Sequence, residues 1–137
     1  MTKTAIVSQV RMVMKNDLGE DFPSLFEEKL AAGLTARGVQ VLIVAFDELG
    51  LDPTVVDQRL AQFGPSTVLF VRPVGSLRDG YGNVNAVRFD VSVGPPARSS
   101  ARVWRASVEL KGMGSAETKA ATLARDIISK LMEDGLL

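Results

Sequence analysis

The sequence contains neither cysteine nor histidine. The first absence excludes disulfides, thiolate nucleophiles and thiol-rich metal sites, and the second removes the side chain whose unperturbed pKa lies nearest neutrality. Any catalysis is left to Asp, Glu, Lys, Tyr or Ser. Aromatic residues are sparse, with one Trp, one Tyr and six Phe. The longest apolar stretch, Val39 to Phe46, falls far short of the ~20 residues a membrane-spanning helix needs. An excess of charge is missing too. Sixteen basic and sixteen acidic residues cancel, so the whole molecule exerts no long-range pull on nucleic acid or an anionic membrane. Met1 to Met14 has no charged start followed by a continuous apolar core, and so does not read as a signal peptide.

What is present points to a folded α/β chain. At 137 residues, 46% apolar and 23% charged, the composition is that of a globular protein with one core, and a single domain over residues 1 to 137 is expected. The charge is unevenly spread. Residues 1 to 65 carry six basic against nine acidic side chains, residues 66 to 114 seven against three, and residues 115 to 137 three against four. The middle third is therefore basic and rich in Arg.

Hydrophobic periodicity divides the chain into eight elements. Ala5 to Met14 reads as a strand and Asn16 to Glu20 as a turn. A stripe of Phe22, Leu25, Phe26, Leu30 and Leu34, with Pro23 in the first turn, predicts an amphipathic helix that Gly38 stops. Val39 to Phe46 is a buried strand. Asp52 and Pro53 form an N-cap and N1 pair for a short helix carrying Val56, Leu60 and Phe63. Thr67 to Val74 reads as an interior strand and Gly75 to Asn83 as a turn-rich connection.

Two strands with plain period two follow. In Val84 to Val93, Val87, Phe89, Val91 and Val93 face one way and Arg88, Asp90 and Ser92 the other. In Ala101 to Leu110, Trp104, Ala106, Val108 and Leu110 oppose Val103, Arg105, Ser107 and Glu109. Ser115 caps a last helix with Glu117 in its first turn, a stripe from Ala120 to Leu131, and Gly135 at its end. The order β-α-β-α-β-β-β-α, with right-handed crossovers, predicts a two-layer α/β sandwich: a mixed sheet ending in an antiparallel meander, with helices on one face.

Few residues invite chemistry. Gly112-Met113-Gly114 before the last helix lacks the third glycine and the Lys-Ser/Thr pair of a phosphate-cradling turn, and reads as a flexible connection. The acidic pairs Glu20-Asp21, Glu27-Glu28 and Asp47-Glu48 read as solvated surface charge rather than acid/base couples. Trp104 is in phase with the core face. Tyr81, between Gly80 and Gly82, either lies flat on the meander or is a contact residue. The most suggestive group is basic: Arg72, Arg88 and Arg105 share the polar sheet face or its rim, with Arg78, Arg98 and Arg102 on loops and edges. Cross-strand pairing with Asp90 and Glu109 is the structural alternative. Phe89 and Trp104 lie on the opposite face, which argues against stacking of RNA bases, and nucleic acid is not an expected partner. No cofactor and no metal site is expected.

Several segments together resemble a known group. These are Leu34-Thr35-Ala36-Arg37-Gly38 ahead of Val39 to Phe46, a strand with Val103-Trp104-Arg105-Ala106, and a closing helix with Ala124-Arg125-Asp126-Ile127-Ile128 and Leu131 before Asp134-Gly135-Leu136. The pattern resembles small bacterial envelope lipoprotein domains, among them the lipopolysaccharide-assembly lipoprotein and domains similar to the amino-terminal part of TolB. The resemblance implies a periplasmic domain, tethered through a lipidated Cys ahead of this sequence, that binds or assembles with envelope components and has no enzyme activity. It transfers no functional residue.

The expectation is a noncatalytic domain that recognises a protein partner or an anionic lipid headgroup, with Arg72, Arg88, Arg105 and Tyr81 as candidate binding residues. The alternative is a cytosolic small-ligand or regulatory module of the same fold. Self-association across an exposed strand edge is a further possibility for such a chain.

Overall fold

The computed structural model describes residues 1–12, 18–45, 53–96, 102–112 and 114–137. Strands β1 (Lys3–Ser8), β2 (Gln40–Ala45), β3 (Thr67–Arg78), β4 (Val84–Gly94) and β5 (Trp104–Lys111) form one sheet in the order β2-β1-β3-β4-β5. The first three are parallel, and β3, β4 and β5 form an antiparallel meander. Helices α1 (Phe22–Thr35), α2 (Pro53–Phe63) and α3 (Ala116–Glu133) complete the expected order. No helix among the described residues is long and apolar enough to cross a membrane.

Alternation along the strands decides what is buried against what. Ile6 of β1, Leu69 and Val71 of β3, Val87, Phe89, Val91 and Val93 of β4, and Val108 and Leu110 of β5 share one face. There they meet Phe22, Phe26, Leu30 and Leu34 of α1 and Ala120, Leu123, Ala124, Ile127 and Leu131 of α3. Each large side chain so buried contributes about 1.5–3 kcal/mol relative to exposure, which makes this two-layer core the main source of stability. Gly33 permits the close approach of the two helices, since a Cβ there would lie 2.4 Å from Ile128 Cδ1.

The expected helical layer on one face is built by α1 and α3, whereas α2 packs on the reverse face. Its Val56 and Leu60 pack with Ala5, Val7, Val44 and Val68, the alternate residues of the parallel strands. The reason is topological. The step from β1 to β2 moves outward, and the step from β2 to β3 returns past β1, so two right-handed crossovers in opposite directions leave their helices on opposite faces.

Three strand boundaries differ from the sequence reading by about three residues or more. β1 stops at Ser8, where its register with both neighbours ends, and a single 3-10 turn, Val10–Met12, follows instead of more strand. β3 continues to Arg78, beyond Val74: a register shift between Pro73 and Gly75 absorbs Val74, after which Gly75, Ser76 and Leu77 pair with Arg88, Val87 and Ala86. Pro73, which has no N–H, is tolerated because β3 pairs with β1 only as far as Val71. β5 begins at Trp104 rather than Ala101, which lies outside the described residues, as do Met14, Asn16, Phe46 and the expected N-cap Asp52.

The ends of α3 follow expectation. Ser115 Oγ accepts a hydrogen bond from the Thr118 backbone N–H at 3.1 Å, and Gly135 takes a φ of +78° after the helix. Trp104 packs half-buried against the core, and its indole N–H donates to Asp134 Oδ2 at 2.7 Å, tying β5 to the end of α3. Gly112 is more than a flexible link. Its N–H bonds to Asn85 O at 2.7 Å, and a Cβ would lie 2.4 Å from Val84 O, so β4 and the end of β5 approach too closely for any side chain.

Candidate anion-binding cleft

The reverse face of the sheet is only partly covered, because α2 lies over the parallel strands while the meander's polar side stays open. Register places the residues of this face in rows. Val7 of β1, Phe70 of β3, Ser92 of β4 and Arg105 of β5 are successive cross-strand partners, and Arg72 and Asp90 pair in the next row. Strands lie ~4.8 Å apart, so one row spans about 15 Å from Val7 to Arg105. Above these rows opens a recess of about 280 Å³ lined by Gln9, Phe70, Arg72, Asp90, Ser92, Arg102 and Arg105 among others.

Its position is set by the topology. The recess lies at the carboxyl end of β1, beside β3, where the strand order reverses; in doubly wound sheets ligands bind at such a switch point.

Within it the three guanidinium groups differ. Arg72 Nη2 is 3.2 Å from Asp90 Oδ2 and its Nε 3.3 Å, an exposed pair of the expected cross-strand kind, worth about 0–1 kcal/mol. Arg102 lies over the Phe70 ring, its Cζ 3.8 Å from the centroid, as a cation–π contact. Its Nη1 is shut away from solvent with no hydrogen-bond partner among the described residues. Arg105 is exposed at the end of the Phe70–Ser92 row and has no carboxylate partner there. One carboxylate thus faces three guanidiniums.

The four candidate residues therefore separate. Arg72 and Arg105 share the cleft. Arg88 lies directly opposite Glu109 in register, in a neighbouring recess of about 180 Å³ with Val74, Leu77 and Ala86. Tyr81 is 93% exposed at the tip of the β3–β4 hairpin, so it does not lie flat on the meander. That tip is closed by its own bonds: Asp79 Oδ1 accepts from the backbone N–H of Tyr81 at 2.8 Å and of Asn83 at 2.9 Å. The Asn83 N–H, followed by the Tyr81 N–H, holds the Asp79 carboxyl below its ordinary pKa. Of the remaining basic candidates, Arg78 donates to Gly82 O at 3.1 Å, and Arg98 lies outside the described residues.

Among the cleft residues outside the four candidates are Phe70, which the sequence reading did not single out, and Arg102, which it placed only with Arg78 and Arg98 on loops and edges. Phe70 was readable from period two, since Leu69 and Val71 face the main core and leave Phe70 in phase with Arg72. Its presence also amends the argument that the polar face holds no aromatic, although Arg102 covers the ring and leaves no open stacking platform. Arg102 precedes the regular part of β5, and no periodicity places it. Of the acidic pairs, Glu27 departs from solvated surface charge: it is 3% exposed and bonded through Oε1 to Arg11 Nη2 at 2.8 Å, because the 3-10 turn after β1 folds Arg11 onto α1. Glu28, Glu20 and Asp21 are exposed, and Asp47 and Glu48 lie outside the described residues.

No family model matches the chain, and no curated protein does either. Solved structures do. The fold resembles that of PelC. The dodecamer of PelC from Paraburkholderia phytofirmans aligns over 95% of this chain and 86% of its own at 19% identity, with a TM-score of 0.59. Lipoprotein GNA1162 from Neisseria meningitidis aligns over 97% and 99% at 14% identity with a TM-score of 0.50. At these identities the shared property is the fold.

Proposed function

We propose that this chain is a noncatalytic binding domain of the bacterial envelope that recognises an anionic component, either an acidic surface of a protein partner or an anionic lipid headgroup, through the cleft on the reverse face. The observation that carries the reading is the pair Arg102 and Arg105, two guanidiniums in one recess without a carboxylate partner among the described residues. Guanidinium groups placed this way bind carboxylate and phosphate groups through charge-assisted hydrogen bonds. The lipoprotein GNA1162 among the similar structures supports an envelope setting. The dodecameric PelC supports self-association, for which the end of β3 beyond Val71, unpaired on its β1 side and with Val74 and Leu77 exposed, offers an edge.

The test compares wild type with an Arg102→Gln/Arg105→Gln variant on phosphatidylglycerol vesicles and on immobilised polyglutamate, with Arg88→Gln as the control from the neighbouring recess. Wild type and the control are retained on at least one surface, and the double variant on neither, with its melting temperature unchanged. Equal retention of all three proteins, or of none, refutes the reading. A cytosolic small-ligand module is the second reading, favoured by the small volume of the cleft and its place at the switch point. Binding of a free ligand without retention on either surface supports that second reading.

A further inference from the structure

We infer that the group the cleft accepts is a phosphate monoester, an assignment that rests on the reading of the cleft as an anion site. Charge is the first argument. The Arg72–Asp90 pair is internally compensated, which leaves Arg102 and Arg105 as two positive charges. A phosphate monoester carries about −1.5 to −2 at pH 7 and matches both, whereas a carboxylate carries a single charge and leaves the second guanidinium uncompensated.

Geometry is the second. Arg102, Ser92 and Arg105 approach the recess from different sides: from above Phe70, from the sheet floor, and from β5. Three acceptor oxygens in a tetrahedral array suit donors that approach from different directions, whereas the acceptor sites of a carboxylate lie in one plane. At about 280 Å³ the recess holds a headgroup-sized anion and falls below the usual ~300–1,000 Å³ of sites for larger ligands.

Preorganisation is the third. Arg102 is held in place before any ligand arrives. Its guanidinium stacks on Phe70 on one side, and on the other it passes Gly94, where a Cβ would lie 2.9 Å from Nη1 and 3.1 Å from Cδ. The φ of Gly94 is not positive, so glycine serves here to make room for the arginine rather than to permit a turn. A buried donor with no acceptor is costly, and Nη1 of Arg102, shut away beside Gly94, is such a donor, so it fixes the guanidinium in place without itself being open to a ligand. The other N–H groups of this fixed cation are the donors an oxyanion would meet.

The experiment is calorimetric titration of the full chain with glycerol phosphate, and with acetate at matched ionic strength, from about pH 5 to pH 8, spanning the second phosphate pKa of about 6. The charged groups lining the cleft are Arg72, Asp90, Arg102 and Arg105, and the guanidiniums do not titrate in this range. Glycerol phosphate is expected to bind about tenfold more tightly at the upper end than at pH 5, as its dianion fraction rises, and acetate to bind weakly throughout. Arg102→Gln and Arg105→Gln each weaken glycerol phosphate by roughly tenfold or more. Gly94→Ala, which keeps every charge but displaces Arg102, does likewise; should that variant fail to fold, the two arginine variants carry the test.

Vesicles of phosphatidic acid in phosphatidylcholine, against phosphatidylcholine alone, separate the sources. Retention with glycerol phosphate binding identifies a lipid headgroup, and glycerol phosphate binding alone identifies a free ester. Acetate binding as tightly as glycerol phosphate without a pH dependence overturns the phosphate assignment while leaving an anion cleft. Absence of glycerol phosphate binding by a protein still retained on polyglutamate overturns it likewise, and undiminished binding by both arginine variants removes the site.

Discussion

Phe89 and Arg88 are adjacent in β4 and face opposite sides of the sheet, so substitutions there measure directly which side carries the stability. Phe89 is wholly buried in the strand between β3 and β5, beneath the layer of α1 and α3. Phe89→Ala removes a ring from a packed site with little freedom to collapse, at a cost of about 3–5 kcal/mol. Against a total stability of about 5–15 kcal/mol, that is a large fraction. For a chain of this size each kcal/mol shifts Tm by roughly 3–5 °C, so a fall of about 10–20 °C is expected. Arg88 is exposed opposite Glu109, and no ion pair between them forms, so Arg88→Gln changes stability by no more than about 0.5 kcal/mol. Thermal melts by circular dichroism, with urea unfolding for the free energies, give both values. Comparable losses from the two substitutions, or a loss below about 1.5 kcal/mol for Phe89→Ala, refute the assignment of faces.

The other predictions concern particular contacts. Asp79 has its pKa lowered in the folded hairpin, so its contribution is full above the ordinary Asp value of about 3.9 and fades as pH falls through the lower folded value. NMR titration of its carboxyl, followed also at the Tyr81 and Asn83 amides, therefore gives a midpoint below that of a free Asp, and a midpoint at or above it contradicts the hydrogen-bond assignment. Asp134→Ala removes the acceptor of the Trp104 N–H, costing about 1 kcal/mol and moving the emission of the single Trp to longer wavelength; unchanged fluorescence speaks against the tie between β5 and α3. Gly112→Ala destabilises by about 1–3 kcal/mol, since the new Cβ meets the Val84 carbonyl, whereas Gly80→Ala, with open space around it, stays within about 0.5 kcal/mol; equal effects in denaturant unfolding contradict the close approach.

Legibility in the sequence followed periodicity. Phe89 and its partners at every second position announced both the strand and its buried face, and the stripe from Ala120 to Leu131 announced α3, because burial on one side imposes a repeat that local sequence must display. The placement of α2 on the reverse face was not local information. It follows from the return of β3 past β1, a pairing between residues far apart in the chain. The extension of β3 through Gly75 and Ser76 was hidden because turn-forming residues were held in the ladder by β4 after the register shift at Val74. Of the cleft, Arg72 and Arg105 were visible as polar-phase residues on their strands. Arg102 was not, since its position depends on Phe70 beneath it and on the missing side chain of Gly94 beside it. Arg88 shares the phase of the cleft residues and lies outside the cleft, which shows that period two assigns a face without assigning a place along it.

The functional reading stands on anions being taken on the uncovered reverse face, in the recess that runs from the end of β1 across β3 and β4 to the start of β5. Mapping backbone amide shifts during a glycerol phosphate titration locates the binding face. Perturbations are expected at Gln9, Phe70, Ser92, Arg102 and Arg105, with Gly80 to Gly82 at the hairpin tip and the residues around Arg88 unaffected. Shifts centred on the tip, on the recess at Arg88, or scattered over α1 and α3 contradict it.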